Sequence, residues 1–89
     1  MNKFRLWERT VKGYANHRRM EILSLLERQP ELAVFEIAEA LHVNFKTVSE
    51  HLRRLAHAGL VLKRYEASAV RHALSSRGKH ILKFLRTLE

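Results

Sequence analysis

Seventeen lysines and arginines, six histidines and a scatter of serine and threonine hydroxyls are the side chains of this 89-residue chain that could do chemistry. Their natural chemistry is the binding of anions. The cations face nine acids, every one a glutamate, and leave a formal charge of +8. They are also unevenly placed: residues 1–44 hold seven Lys/Arg against six Glu, while residues 45–89 hold ten against three. A polyanion partner, most often nucleic acid, fits that balance, and the second half of the chain is the side to meet it. A basic surface with no special partner fits it as well.

Covalent and metal chemistry find little to work with. There is no cysteine, which removes disulfides, thiolate metal sites, a cysteine nucleophile and a redox sensor. His17, His42, His51, His57, His72 and His80 form no HxxxH or HxH pair, so neither a metal nor a cofactor is expected. Serine, histidine and glutamate occur only as scattered residues, with no glycine-rich nucleophile elbow and no phosphate loop; the chain is not expected to be an enzyme. Met1–Tyr14 mixes charged with apolar residues and does not read as a signal peptide. The longest apolar stretch, Ala58–Leu62, falls far short of the roughly 20 residues that span a membrane. A cytoplasmic location is the expectation.

The scaffold for these side chains is a single domain, residues 1–89, because the length leaves no room for a second core. Phe4, Trp7, Val11 and Tyr14 recur at helical spacing, with Gly13 near the end of that helix. Asn16 suits the N-cap of a second helix, whose apolar side is Met20, Ile22, Leu23, Leu25 and Leu26 and which Gln29-Pro30 stops. A short helix from residue 35 follows, with Phe35, Ile37, Ala38 and Leu41 apolar and Glu36, Glu39 and Ala40 mostly outward. His42-Val43-Asn44 is a tight connection, Asn44 caps a helix over residues 45 to about 57, and Gly59 supplies the left-handed residue that ends it. Then the period changes. Residues 60–65 and 70–74 read as two strands joined by Glu66-Ala67-Ser68-Ala69, a connection without Gly, Asn, Asp or Pro. Ser75 or Ser76 caps a last helix, with Ile81, Leu82, Phe84, Leu85 and Leu88 on a broad apolar face. The fold class is α+β: mainly α, about five helices and a small two-stranded β-hairpin.

Two short helices joined by a tight turn make a helix-turn-helix, here residues 35–57, and the basic hairpin over residues 60–74 that follows is a wing. A helix about 10–12 Å wide fits the major groove of DNA, and the cations of a hairpin reach phosphates or the minor groove. Val48, Leu52 and Leu55 form a narrow apolar stripe on residues 45–57, and Lys46, Ser49, Glu50 and Arg53 lie opposite it. Solvated positions for Lys46 and Arg53, and helix packing for Thr47 and Ser49, are the plainer readings of the same pattern. Glu50 repels phosphate, yet it can accept from cytosine N4; pairing with Arg53 or Arg54 along the helix is the reading favoured. His51, beside the stripe, reads as a partly buried, hydrogen-bonded histidine rather than a ligand.

Residues Arg18–Leu62 resemble the winged helix-turn-helix of ArsR/SmtB-type repressors. The matching elements are Ile22-Leu23-Ser24-Leu25-Leu26, Glu31-Leu32, Glu36-Ile37-Ala38, Thr47-Val48-Ser49, His51-Leu52, Leu55 and Ala58-Gly59-Leu60-Val61. Ala73-Leu74-Ser75-Ser76-Arg77-Gly78-Lys79 is similar to the end of the wing in MarR-type regulators. The resemblance implies a sequence-specific transcriptional regulator, a repressor, that binds double-stranded DNA as a homodimer at an inverted-repeat operator. It makes residues 45–57 the reading helix, with Phe45–Ser49 near the base edges. Lys46 would donate to guanine or phosphate, Thr47 and Ser49 would offer hydroxyls, and the Thr47 methyl suits thymine. Phe45 either touches a thymine methyl or packs against the turn. Arg53, Arg54 and, on the wing, Lys63, Arg64 and Arg71 are the phosphate or minor-groove candidates. His17, Arg18 and Arg19, at the start of the second helix, are further phosphate candidates.

The resemblance also implies that the terminal helices, residues 1–14 and 76–89, form a two-fold dimer interface through Phe4, Trp7, Val11, Tyr14, Ile81, Phe84, Leu85 and Leu88. The other reading is that both simply complete the monomer core. A dimer would set two reading helices about 34 Å apart, one turn of DNA. Ala33 and Phe35 stand where metal-sensing members of the family carry cysteines, and a second family site on the last helix finds only His80 and Glu89. Metal sensing is therefore not expected. A winged-helix protein- or RNA-interaction module and a non-specific DNA packer are the alternatives; the basic, polar surface over residues 45–57 favours duplex DNA.

Overall fold

Short polar side chains set the start of four helices. In the structure, a computed structural model that describes residues 2–89, Asn2 Oδ1 accepts the Arg5 N–H at 2.9 Å and opens α1, Lys3–Tyr14. Asn16 does the same for α2, His17–Arg28, accepting from the Arg19 N–H at 3.1 Å. Asn44 takes two amides at the start of α4, Phe45–His57: those of Lys46 at 2.8 Å and Thr47 at 3.2 Å. Of the two candidate serines, Ser75 caps α5, Ser76–Arg86, accepting from the Gly78 N–H at 3.0 Å. Each cap satisfies a backbone donor that the first turn of a helix leaves open. The remaining helix, α3, Val34–Leu41, starts on Ala33, whose N–H donates to the Glu36 carboxylate at 2.8 Å. Left-handed residues close two of the helices: His42 (φ 55°) after α3 and Gly59 (φ 77°) after α4.

The core lies where α2, α3 and α4 converge. Ile22, Leu23, Leu26, Ile37, Val48, Leu52 and Leu55 fill it, and Leu60 closes it from the base of the hairpin. Two sequence expectations are corrected here. α3 begins at Val34, and Val34, Ile37, Ala38 and Leu41 form its inward face at i, i+3, i+4, i+7. Phe35, apolar like its neighbours and expected on the inward side of the short helix, therefore lies off that face and is 63% exposed. Tyr14, expected at a dimer surface, is only 8% exposed and belongs to the monomer's own core, because the end of α1 packs on α4. Gly13 allows that approach: a Cβ there would stand 2.4 Å from Ala58 Cβ.

The hairpin pairs β1, Val61–Glu66, with β2, Ala69–Leu74, antiparallel, in a register running from Val61↔Leu74 to Glu66↔Ala69. Because Glu66 and Ala69 still pair, the expected four-residue connection shrinks to Ala67-Ser68. Ala67 supplies the positive φ, 50°, that such a loop requires, a conformation more usual for Gly or Asn. The free edge of β2 is braced by the α2–α3 connection. The Glu31 N–H donates to His72 O, and the His72 N–H to Leu32 O, both at 2.9 Å. His72 Nδ1 donates to the same Leu32 carbonyl at 2.9 Å, and burial holds this imidazole below its usual pKa.

α5 returns to the base of the hairpin, where the Ser75 N–H donates to Leu60 O at 3.1 Å and the Ser75 hydroxyl to Gly59 O at 2.6 Å. Gly78 passes so close that a Cβ on it would lie 2.2 Å from Leu60 O, a backbone atom fixed by the Ser75 bond. Gly78→Ala is expected to destabilise the domain by about 1–3 kcal/mol through overpacking. The roughly 0.5–1 kcal/mol of helix propensity that alanine adds does not offset this. Urea unfolding measures the difference, and a variant as stable as the parent would show that α5 shifts freely.

Candidate nucleic-acid interface

α4 owes its exposed face to its buried one. Val48, Leu52 and Leu55 are fixed in the core, so helical geometry turns Lys46, Thr47, Ser49, Glu50, Arg53 and Arg54 to solvent. Thr47 and Ser49 are exposed and do not pack against a neighbouring helix. Phe45, at the first position of α4, is 57% exposed, so it does not serve as a buried staple for the turn. Asn44 uses its side chain on the amides of Lys46 and Thr47, which orients the start of the helix that carries these groups.

Glu50 makes the helix-face pairs expected of it. Its Oε2 accepts from Arg53 Nε at 3.0 Å, and its Oε1 accepts from Arg53 Nη2 at 2.7 Å and Arg54 Nε at 3.1 Å. The Arg53 hydrogen bond first, and Arg54 after it, hold this carboxyl at about 2 against an opposing desolvation effect. A carboxyl whose pKa is depressed on folding adds stability above its ordinary value of 4.5 and loses it as pH falls towards 2. Glu50→Gln is therefore expected to lose less stability than the parent over that acid window. Thermal melts between pH about 5 and about 2 test this; parallel acid limbs would show that the two arginines do not act on Glu50.

His51 is half-buried and hydrogen-bonded, and its partner is charged. Its Nδ1 accepts from Arg19 Nε at 3.1 Å, while Arg19 Nη1 donates to the carbonyls of Lys12 at 3.2 Å and Gly13 at 3.3 Å. One guanidinium thus ties the end of α1 to the middle of α4. Burial, then Arg19, keeps His51 below its usual pKa; burial and the nearby Arg54 lower that of Arg19. Arg18 pairs with Glu21 at 3.2 Å.

The wing cations divide into two kinds. Arg64 Nε donates to Glu31 at 2.9 Å and its Nη1 to Glu66 at 3.1 Å. Arg71 Nη1 donates to Glu31 O at 3.2 Å and to Glu36 at 3.3 Å, stitching β2 to α3. Both are engaged within the chain, Arg71 being the less exposed of the two. Lys63 is exposed and has no carboxylate partner among the described residues.

At the ends of the chain, Phe4, Trp7 and Val11 on α1 and Phe84 and Leu88 at the far end are exposed, while Ile81 and Leu85 are half-buried against the core. Phe4 and Trp7 meet edge to face at 5.4 Å. Leu6, Trp7, Thr10 and Val11 line a shallow groove together with Arg77 and Ile81, so the two terminal helices contribute to one surface.

Residues 16–63, from the N-cap of α2 into β1, match the family described as bacterial regulatory protein, arsR family. The chain belongs to the ArsR family. It is 41% identical over 66 residues to the transcriptional activator HlyU of Vibrio cholerae serotype O1; the match covers 74% of this chain and 60% of HlyU. A solved structure of HlyU from Vibrio cholerae N16961 superimposes with a TM-score of 0.83 at 34% identity, covering 99% of this chain and 97% of that one. A homodimeric winged helix-turn-helix DNA-binding domain from Mycobacterium bovis, a possible ArsR-family regulator, gives a TM-score of 0.86 at 31% identity. That superposition covers 96% of this chain and 79% of the other. In this ArsR-family chain α3 and α4 are the helix-turn-helix and β1–β2 the wing. Sequence reasoning missed the Arg19 bracket and the Glu31 and Glu36 partners of the wing. Arg19 and His51 lie 32 residues apart and Arg71 and Glu36 35 apart, separations at which no local spacing rule speaks.

Proposed function

We propose that this ArsR-family chain is a sequence-specific regulator of transcription that binds double-stranded DNA as a homodimer. The observation that carries this reading is the exposed start of α4, where Lys46, Thr47 and Ser49 stand opposite a stripe locked in the core. Donors and a methyl group on the first turn of such a helix can meet base edges in the major groove. Lys63 on the wing, and Arg53 and Arg54 further along α4, supply phosphate contacts that set the register. Residues 35–57 are then the helix-turn-helix, with the helix over 45–57 reading the major groove, residues 60–74 are the wing, and the two terminal helices form the dimer. Neither a metal nor a catalytic step is called on.

The dimer is supported by the exposed Phe4, Trp7, Val11, Phe84 and Leu88 and by the homodimeric state of the Mycobacterium bovis domain. Light scattering at micromolar concentration is expected to give twice the 10.5 kDa chain mass. A monomer mass there would remove the dimer from the proposal. Selection of bound sequences from random duplex DNA tests the rest: an inverted repeat with half-sites one turn apart is expected, and no enrichment would overturn sequence-specific binding. The regulator is read as a repressor that acts by covering a promoter, whereas HlyU is named an activator. A reporter carrying the selected site distinguishes the two outcomes.

A further inference from the structure

We propose that the cleft between the C-terminal halves of α1 and α4 is a binding site for a phosphate group. Arg9, Lys12, Arg19, Arg53, Arg54 and His57 line it, over a floor made by Gly13 and Ala58. Its volume, about 290 Å³, is at the small end of ligand pockets, which run from about 300 to 1,000 Å³. That size suits a compact anion better than an extended apolar ligand.

The charge is what sets the cleft apart. Five permanent cations converge on it against one lining carboxylate, Glu8, which pairs with Lys12 at 3.4 Å. Glu50 adds a second carboxylate, shared between Arg53 and Arg54. Arg9 has no carboxylate partner among the described residues, and Arg19 spends its bonds on His51 and on backbone carbonyls. Both helices end here, and their exposed carbonyls would normally repel an anion. Three carbonyls at these ends are already bonded to guanidiniums: Arg19 Nη1 bonds Lys12 O and Gly13 O, and Arg77 Nη1 bonds Ala58 O at 3.2 Å. The cleft is therefore lined by five cationic side chains, with Arg53 and Arg54 sharing the single carboxylate of Glu50. The like-charge pressure of Arg54 on the partly buried Arg19 is a cost that a bound phosphate would relieve. Arginines also match phosphate oxygens in geometry, with two donors per group.

The phosphate can come from a small phosphorylated molecule or from the backbone of bound DNA. The first source does not rest on the DNA-binding proposal; the second does. The test uses three proteins: the parent, Arg9→Ala/Lys12→Ala in the cleft, and Lys79→Ala/Lys83→Ala, which removes the same charge from exposed positions on α5. Alanine is a good helix former and neither pair is buried, so all three are expected to fold, which circular dichroism checks. In the first arm, sodium pyrophosphate is titrated into each protein at low salt by calorimetry. Saturable binding by the parent and the α5 pair, at least about tenfold weaker in the cleft pair, supports the proposal with a free anion as ligand. In the second arm, duplex DNA is bound over a range of salt. A slope of log K on log salt that is smaller in the cleft pair than in the α5 pair by about 1 supports it with a DNA phosphate as ligand. If neither pyrophosphate affinity nor salt slope separates the cleft pair from the α5 pair, the proposal is overturned. Failure of all three proteins to bind DNA would sink the DNA-binding reading instead, and the pyrophosphate arm alone would then decide the cleft.

Discussion

Leu52→Ala is expected to lower the stability of the domain by about 2–5 kcal/mol, the range for a buried leucine cut to its β-carbon. Leu52 is 1% exposed and sits between Val48 and Leu55 on α4, with Ile37 of α3 and Leu23 of α2 in the same core. The loss combines transfer of buried methyl groups with the cavity left behind. The cavity is expected to persist, because the caps at Asn16 and Asn44 and the Gly13–Ala58 approach fix the surrounding helices. Domains are stable by only about 5–15 kcal/mol, so this single change removes a large fraction of the total. For a chain of this size each kcal/mol moves the melting temperature by roughly 4–8 °C, making the effect plain in a thermal melt. A near-silent variant would mean that the inward face of α4 is assigned wrongly, and the outward face with it.

The helices were legible because their punctuation is local. Asn16, Asn44, Ser75, Pro30 and Gly59 act within one turn of the backbone they govern, and apolar spacing then fixes which side is buried. Where the outcome depended on what a residue meets across the fold, the sequence was silent or misleading. Phe35 looks as apolar as Ile37, but two residues apart they lie on opposite sides of α3, whose inward face runs through Val34, Ile37, Ala38 and Leu41. Tyr14 falls on the same stripe as Trp7, yet the crossing of α1 over α4 at Gly13 takes one inside and leaves the other out. The hairpin loop carries no turn residue, so its two-residue length follows from the pairing of Glu66 with Ala69.

The candidate site divides in the same way. Exposure of Lys46, Thr47 and Ser49 follows directly from the buried stripe, and the pairing of Glu50 with both arginines follows from helical spacing. On the wing, spacing alone made Arg64 and Arg71 equivalent to Lys63. Their glutamate partners come from the α2–α3 connection (Glu31) and the first turn of α3 (Glu36), distant in sequence but beside β2 in the fold, and they turn Arg71 into a strut between β2 and α3. Of the wing cations only Arg71 is held this way in a less exposed position; the pairs of Arg64 are about as exposed as those of Arg53, and Lys63 on the wing and Lys79 and Lys83 on α5 have no carboxylate partner among the described residues.

Lys46→Ala combined with Arg53→Ala is expected to weaken binding to a selected duplex at least about tenfold. The two residues fail in different ways. Lys46 is exposed in the first turn of α4, where a side chain meets base edges or the nearest phosphate. Arg53 lies two turns on and is held by Glu50, but that pair is exposed, and exposed pairs are weak enough for a phosphate to compete for the guanidinium. Arg53→Ala alone is therefore expected to lower affinity about equally for all sequences and to reduce the salt slope by about 1. Lys46→Ala alone is expected to relax the preference at one base position if Lys46 reads guanine, and to act uniformly if it meets phosphate. Glu50→Gln supplies the opposite sign. It removes the carboxylate shared by Arg53 and Arg54 and is expected to tighten binding, unless Glu50 accepts from a cytosine, in which case the selected base changes instead. Anisotropy titrations against the selected duplex and a scrambled one read all four proteins, and an unchanged affinity in the double variant would remove α4 from the DNA interface.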